Sequence, residues 1–199
     1  MVRFFVIIIL GDNMELGLKR GTVRIDKYNP EWKNEYLKEE KILKEILKEY
    51  DVDIQHIGST SIVGCSAKPI IDIAIGVPNL EYGKQLISIL QNNGWTYDGT
   101  SDFGVRWFLK KCDGDVRTHF LHIENRFDRI WQNHIVFRDY LNCHPELVRE
   151  YSDIKERIEK EFTDNRQGYA AIKDPFIEKV IKQALEEWNL EPAGEDYEL

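Results

Sequence analysis

The segment from Ile70 to Val77 constrains the fold more than any other part of the chain, because it is an almost unbroken run of β-branched and other apolar residues. Such a run is typical of a strand whose two faces are both covered, as in α/β domains. Asp72 interrupts the run. A carboxylate inside a strand core is costly to ionise without a partner, so Asp72 is the first candidate for a functional residue.

The flanking segments predict helices and short strands around this central strand. Asn29-Pro30 has the chemistry of a helix start, and apolar residues then recur at helical spacing from Trp32 to Tyr50. Short strands are predicted over 54–57 and from Trp95 to Tyr97. A helix from Leu80 to Asn92 is predicted between the central strand and the strand that begins at Trp95.

The second half of the chain predicts a hairpin followed by helices. Asp113-Gly114 is typical of the turn between two strands, predicted over 107–111 and 117–123. The last third has a helical pattern, with Pro145 and Pro175 at predicted first turns. The predicted fold class is therefore α/β (α+β): a small mixed sheet with an N-terminal helix and a helical C-terminal third.

Length and composition predict one domain. The chain has 199 residues, of which 42% are hydrophobic, enough for a single core. We place this domain at residues 14–190, before an acidic tail at 191–199. The apolar run from Met1 to Leu10 is too short to span a bilayer and is not followed by a small-residue cleavage site. We interpret it either as an edge strand or as residues that precede the true translation start at Met14.

Net charge and cysteine spacing indicate which classes of partner the protein binds and in which cellular compartment it resides. The formal net charge is -8, which argues against a broad nucleic-acid-binding surface and still permits a local anion pocket. The three cysteines form no paired metal or redox spacing. These features predict a cytoplasmic protein without a membrane partner.

The turn Gly58-Ser59-Thr60, together with Asp72, forms the candidate site. Gly58 would let the backbone approach a phosphate, and the Ser59 hydroxyl and the N–H groups that follow, including Thr60, would donate hydrogen bonds to it. Asp72 would supply a hard oxygen ligand for Mg²⁺, or Mn²⁺, that also contacts the phosphate. The predicted ligand is thus a nucleotide or a phosphorylated small molecule. An ordinary turn, and a purely structural ion pair of Asp72, remain the alternatives.

Five stretches of the chain resemble the GrpB family: His56-Ile-Gly-Ser-Thr-Ser, Ala67-Lys-Pro-Ile-Ile-Asp-Ile, Arg117-Thr-His-Phe-Leu-His-Ile, Phe137-Arg-Asp-Tyr-Leu and His144-Pro-Glu-Leu-Val-Arg-Glu-Tyr. The resemblance implies the fold of the nucleotidyltransferase superfamily and a relation to a domain fused to some dephospho-CoA kinases. In that superfamily a Gly-Ser turn precedes a strand with two alternating acidic residues. Asp72 matches the first of them, whereas Ala74 occupies the second position.

The segment from Arg117 to Glu124 is the place to look for further site residues. Strand alternation puts Arg117 and His119 on one face and His122 and Glu124 on the other. We favour Arg117 and His119 as contacts that stabilise developing negative charge, because a guanidinium suits bidentate phosphate binding. His122 and Glu124 remain open as metal ligands beside Asp72. Two other basic residues are weaker candidates for phosphate contacts: Lys68 and Arg106.

Two functions are consistent with these residues. The first is metal-dependent nucleotidyl transfer, in which Gly58 and Ser59 hold the phosphates and Asp72 holds the metal. The second is a non-catalytic binding or folding-accessory domain, which Ala74 favours because two-metal chemistry needs ligands for both ions.

Overall fold

The computed structural model describes residues 15–101, 105–161 and 166–194. The predicted N-terminal extension, residues 1–13, and the last part of the predicted acidic tail, residues 195–199, lie outside the described residues. The strands are β1 (Leu18–Lys19), β2 (Asp53–Ile57), β3 (Ile71–Val77), β4 (Thr96–Ser101), β5 (Arg106–Asp113) and β6 (Val116–Asn125). The helices are α1 (Glu31–Ile46), α2 (Leu80–Lys84), α3 (Leu86–Asn92), α4 (Arg129–Cys143), α5 (Pro145–Glu161) and α6 (Arg166–Glu187). A 3₁₀ turn covers Ser59–Ser61.

The strands form one mixed sheet with the order β2-β3-β6-β5-β4, and β1 pairs with the start of β6. The β3–β6 pair is parallel, and the other pairs are antiparallel. The β5–β6 hairpin turns at Gly114, whose φ of 55° is the left-handed conformation that glycine adopts readily. The predicted α/β class with a small mixed sheet is confirmed.

The two faces of β3 pack against different helices. On one face, Ile71, Ile73, Ile75 and Val77 are fully buried in a core shared with α1, α2 and α3; we call this side the α1 face. On the other, Ala74 packs with Trp131 of α4; we call this side the α4 face. The prediction that this strand is buried on both sides is therefore confirmed.

The helical third has a core of its own. Apolar residues of α4, α5 and α6 pack together, among them Phe137, Tyr151 and Phe176. Ile62 and Cys65, from the loop between the 3₁₀ turn and β3, belong to the same core. The loop that carries the Gly-Ser turn is thereby fastened to the helices.

Two helix predictions differ from the structure: one helix is interrupted between its correctly predicted ends, and another begins before its predicted first turn. The helix predicted from Leu80 to Asn92 is divided at Gln85, just after α2 packs closely on the sheet: a Cβ at Gly83 would lie 2.7 Å from Ile123 Cγ2. Tertiary packing here overrides the local pattern. Pro175 lies inside α6 rather than in its first turn, so that helix lacks one backbone N–H. Pro145 does begin α5.

No helix in the described ranges is long and apolar enough to cross a bilayer.

The α1-face core predicts that replacing two leucines of the same helix will have very different effects on the stability of the protein. Leu43 is completely buried, whereas Leu37 is 45% exposed. We expect Leu43→Ala to lower the free energy of unfolding by roughly 2–5 kcal/mol, because it leaves a cavity. Leu37→Ala, the matched control, should change it by less than about 0.5 kcal/mol. Urea unfolding followed by circular dichroism measures both, and equal losses would contradict this packing.

Candidate functional site

The Gly-Ser turn lies directly against the Asp72 carboxylate. Antiparallel pairing of β2 with β3 places Ile57 opposite Asp72, and Gly58 follows with φ 69° and ψ -175°. A Cβ at Gly58 would lie 2.6 Å from Asp72 Oδ2. Both the positive φ and this close approach require glycine. The two parts of the predicted site are therefore in contact, although they are separated in sequence by a loop.

The side chains of the turn divide into inward and outward groups. The Ser61 hydroxyl donates to the Gly58 carbonyl at 2.6 Å. Thr60 is buried, with its Oγ1 3.0 Å from His56 Nε2 and 3.4 Å from the Ile70 carbonyl. The Thr60 side chain thus holds the turn to the sheet, and the predicted phosphate contact of this residue concerns its backbone N–H group. Ser59 is half-buried.

His56 is a structural residue, in agreement with its core-like neighbours in the sequence. Its ring stacks on Tyr36 with a centroid distance of 4.5 Å. Burial lowers its pKa to about 4, and the positive charge of Arg138 acts in the same direction, while Asp72 opposes the shift. Arg138 also donates to the His56 carbonyl at 3.0 Å. His56 is therefore neutral at neutral pH.

Strand register decides which residues of β6 share a face with Asp72. Asp72 pairs with Phe120, and Ala74 pairs with His122, so these residues point to the α4 face. His122 Nε2 lies 3.8 Å from Asp72 Oδ1. Burial lowers the pKa of His122, while the nearby Asp72 carboxylate opposes the shift. Its Nδ1 is buried without a hydrogen-bond partner in the described part of the chain.

The preference for His119 as an anion contact is wrong, because His119 lies on the α1 face. It is 7% exposed, and its ring packs edge-on against Trp95 at 6.3 Å. Arg117 lies at the junction with β1: its Nη2 donates to the Lys19 carbonyl at 2.8 Å, and its guanidinium is 5.8 Å from the Phe120 ring centroid. Arg117 also shares a small cavity of about 30 Å³ with Lys68. These two predicted anion contacts are thus neighbours.

Glu124 is committed to an ion-pair network instead of a metal. It is 1% exposed, with Arg106 Nη1 3.3 Å from Oε1 and His134 Nδ1 3.1 Å from Oε2. Burial alone would raise its pKa, but His134, His122 and Arg106 lower it to about 2. Among the residues that the structure describes, no three His, Cys, Asp or Glu side chains form a metal-ligand group. The predicted set of Asp72, His122 and Glu124 is therefore not assembled, and Arg106 neutralises Glu124.

The position of the second acidic residue is filled by an apolar cluster. Ala74 is completely buried and packs with Ile57 and Trp131. The indole of Trp131 also covers the next residue on this face, since a Cβ at Gly76 would lie 2.8 Å from Trp131 Cη2. The α4 face of β3 is therefore open at Asp72 and closed beyond it.

The helical third adds residues that the sequence reasoning missed. The buried Tyr151 of α5 is hydrogen-bonded to the Ser59 side chain, and burial raises its pKa. Burial lowers the pKa of Lys173 in α6, while the charges of Asp174 and Asp72 oppose that shift. Tyr151 had a signal, because it ends one of the five family-like stretches. Lys173 had none, since only the packing of α6 brings it within the field of Asp72.

Comparison with known proteins identifies close relatives. A family model described as GrpB protein matches residues 22–183. The glutamate-rich protein GrpB of Alkalihalophilus pseudofirmus is 32% identical over 172 residues, which cover 84% of this chain and 99% of that protein. YqkA of Bacillus subtilis is 33% identical over 166 residues, covering 83% of this chain and 48% of YqkA. The chain thus spans about half the length of YqkA.

Solved structures agree with these matches. The crystal structure of GrpB from Enterococcus faecalis has a TM-score of 0.73 and 34% identity, covering 83% of this chain and 99% of that one. Terminal uridylyl transferase 4 from Trypanosoma brucei, solved with bound dUTP, has a TM-score of 0.50 and covers 83% of this chain and 56% of its own. At 13% identity, this likeness shows the fold alone.

A more distant sequence relative is a dephospho-CoA kinase of Mycolicibacterium paratuberculosis. It is 25% identical, covering 84% of this chain and 47% of the kinase. The predicted family resemblance and nucleotidyltransferase-like fold are confirmed.

The contact between Gly58 and Asp72 predicts that adding one methyl group at position 58 will strongly destabilise the protein. We expect Gly58→Ala to lower the free energy of unfolding by roughly 1–3 kcal/mol more than Gly21→Ala. Gly21 is the matched control because its φ is also positive, at 88°, but a Cβ added there would have nothing within 4 Å. Chemical denaturation of both variants measures the difference. Equal losses would show that backbone strain alone, and not the carboxylate, requires glycine at position 58.

The buried His56 predicts a loss of stability in mild acid. Its pKa is about 4 in the folded protein against 6.5 ordinarily, so between these values the unfolded chain binds more protons. Above pH 6.5, His56 is neutral in both the folded and the unfolded state, so it does not lower the stability. As the pH falls towards 4, protonation of His56 in the unfolded chain lowers the free energy of unfolding by roughly 3 kcal/mol. Urea unfolding of wild type and His56→Gln across this range measures it. The variant should lose less stability on acidification, and an equally steep loss would contradict the assignment.

Proposed function

Because the chain belongs to the GrpB family and shares its fold with a nucleotidyltransferase, we propose that it binds a nucleotide at the Gly58–Asp72 site. The observation that carries the proposal is the direct contact between the glycine turn and the carboxylate. A turn that is pressed against a carboxylate offers hydrogen-bond donors for phosphate and an oxygen ligand for a cation at the same point.

The surroundings of the site suit a phosphorylated ligand. The Asp72 side chain is 29% exposed, so it is accessible although its strand is buried. Ser59 is half-buried, and the Lys173 amine of α6 lies within the field of the Asp72 carboxylate. Arg117 and Lys68 lie together farther along the sheet and are proposed contacts for a second phosphate group. A nucleoside triphosphate is the favoured ligand, and bound dUTP in the structurally similar uridylyl transferase supports this class.

The donor atoms fit one magnesium or manganese ion that is shared with the ligand. Asp72 would hold it through a carboxylate oxygen, while phosphate oxygens and water complete a shell of hard ligands. The bound ion would neutralise phosphate charge. His122, next to Asp72, would keep the carboxylate oriented through its Nε2.

The same face opposes two-metal chemistry. A second ion roughly 4 Å from the first would need another carboxylate, and that position holds Ala74 beneath Trp131. We therefore propose that the chain binds its ligand without nucleotidyl transfer, as a binding or accessory domain. The similarity to a dephospho-CoA kinase makes phosphorylated coenzyme-A precursors the second ligand class to test.

Thermal unfolding with candidate ligands tests the proposal. The panel consists of the four common nucleoside triphosphates and coenzyme-A precursors, each with and without Mg²⁺ or Mn²⁺. A ligand at one hundred times its Kd should raise the Tm of wild type by roughly 5–10 °C. We expect this metal-dependent rise to disappear in Asp72→Asn, because the amide is a poor cation ligand, and to persist in Asp53→Asn, where the carboxylate is exposed at the start of β2.

Two results would contradict the proposal. Equal shifts in wild type and Asp72→Asn would place the ligand elsewhere, and no shift with any ligand would exclude these ligand classes. A pyrophosphate assay on the same samples separates binding from catalysis. We expect no release, whereas release that depends on Asp72 would show nucleotidyl transfer despite Ala74.

A further inference from the structure

A buried thiol and a buried amine face each other beside the candidate site. Cys65 is completely buried in the loop between the 3₁₀ turn and β3, and Lys155 of α5 is 1% exposed. Lys155 Nζ lies 3.0 Å from Cys65 Sγ. The two residues are far apart in sequence, so this contact results from the packing of α5 on the loop.

The environment of Lys155 is unusual for a lysine. Its Nζ lies 4.1 Å from the centroid of the Tyr151 ring, and no carboxylate within the described ranges forms a salt bridge with it. Burial lowers the pKa of the Lys155 amine, while its interaction with Cys65 opposes the shift. An unprotonated amine is a nucleophile, whereas an ammonium ion is not. Cys112 and Cys143, by contrast, are exposed.

We propose that Cys65 and Lys155 form a reversible covalent N–S bond when hydrogen peroxide oxidises the thiol. The Cys65 sulfur first attacks peroxide, the O–O bond breaks, and a sulfenic acid and one water form. The Lys155 nitrogen then attacks this sulfur, the S–O bond breaks, and the departing hydroxide takes a proton from the nitrogen as a second water. One peroxide is reduced by two electrons, and the thiol and amine together lose two hydrogen atoms. A dithiol reductant reverses the bond by attack on sulfur.

The loop structure supplies both access and proximity. Val63 is 66% exposed and Gly64 is also exposed, so local opening of this end of the loop would admit a small oxidant. Meanwhile Ser66 remains fastened to α5, because its N–H donates to Ser152 Oγ at 3.1 Å and its hydroxyl donates to Glu156 Oε1 at 2.7 Å. These bonds hold the amine near the sulfur while the sulfenic acid forms.

The bond would be a redox-dependent cross-link between two elements of the fold. It joins the loop that follows the Gly-Ser turn to the helix that carries Tyr151, and would restrict movement of one relative to the other. This inference does not depend on nucleotide binding, because it concerns only the oxidation chemistry of the pair.

The test uses the 199-residue chain with Cys112→Ser and Cys143→Ser, so that Cys65 is its remaining thiol. After peroxide treatment and quenching, intact mass spectrometry should show a species lighter by two hydrogen atoms, and trypsin should no longer cleave after Lys155. Dithiothreitol should restore both. Unmodified Cys65, or products heavier by oxygen atoms with cleavage after Lys155 intact, would overturn the proposal.

Control variants test whether the N–S bond forms between Cys65 and Lys155. Lys155→Arg keeps a long basic side chain but removes the primary amine, and should yield a sulfenic acid that dimedone traps. Lys179→Met, at a lysine 53% exposed on α6, should cross-link like the parent. Should Lys155→Arg fail to fold, the parent protein oxidised in urea serves instead, since loss of proximity should give oxygenated products alone. A two-hydrogen loss in Lys155→Arg or in urea would overturn the assignment.

Discussion

The parallel pairing of β3 with β6 is the constraint on which the candidate site depends. It sets Asp72 opposite Phe120 and Ala74 opposite His122, and side-chain alternation then sends the polar residues to the α4 face. The isoleucines of β3 are sent to the α1 face, where α1, α2 and α3 bury them. A slip of one residue would exchange the two sets, so the hydrophobic core itself keeps the carboxylate in place.

Local patterns predicted much of the fold, because their causes are local. The apolar run of β3, the turn at Gly58 and the β5–β6 hairpin each depend on neighbouring residues. The facing of β6 could not be predicted in the same way. Alternation separates His119 from His122, but the choice between them follows from which partner strand and register the chain adopts. Phosphate chemistry favoured His119, whereas packing against Trp95 assigns it to the core.

Contributions from the helical third were only partly predictable from the sequence, for a related reason. Tyr151 and Lys173 reach the Ser59 and Asp72 region only through the way in which α5 and α6 pack on the loop and on α4. Amphipathic spacing predicts that a helix has a buried side without indicating what that side meets. The charges of the site show the same limitation: Arg106, a predicted phosphate contact, is used to neutralise the buried Glu124.

The indole of Trp131 over Ala74 and Gly76 also bears on how this fold could change in evolution. An aspartate introduced at position 74 would lie beneath a tryptophan ring, desolvated and without room for a cation. A gain of two-metal chemistry would therefore require a change in α4 together with the change in β3, and each change alone would be harmful or useless. The packing of one aromatic side chain thus couples any gain of a second metal site to simultaneous changes in a helix and a strand, although the sheet has a nucleotidyltransferase-like fold.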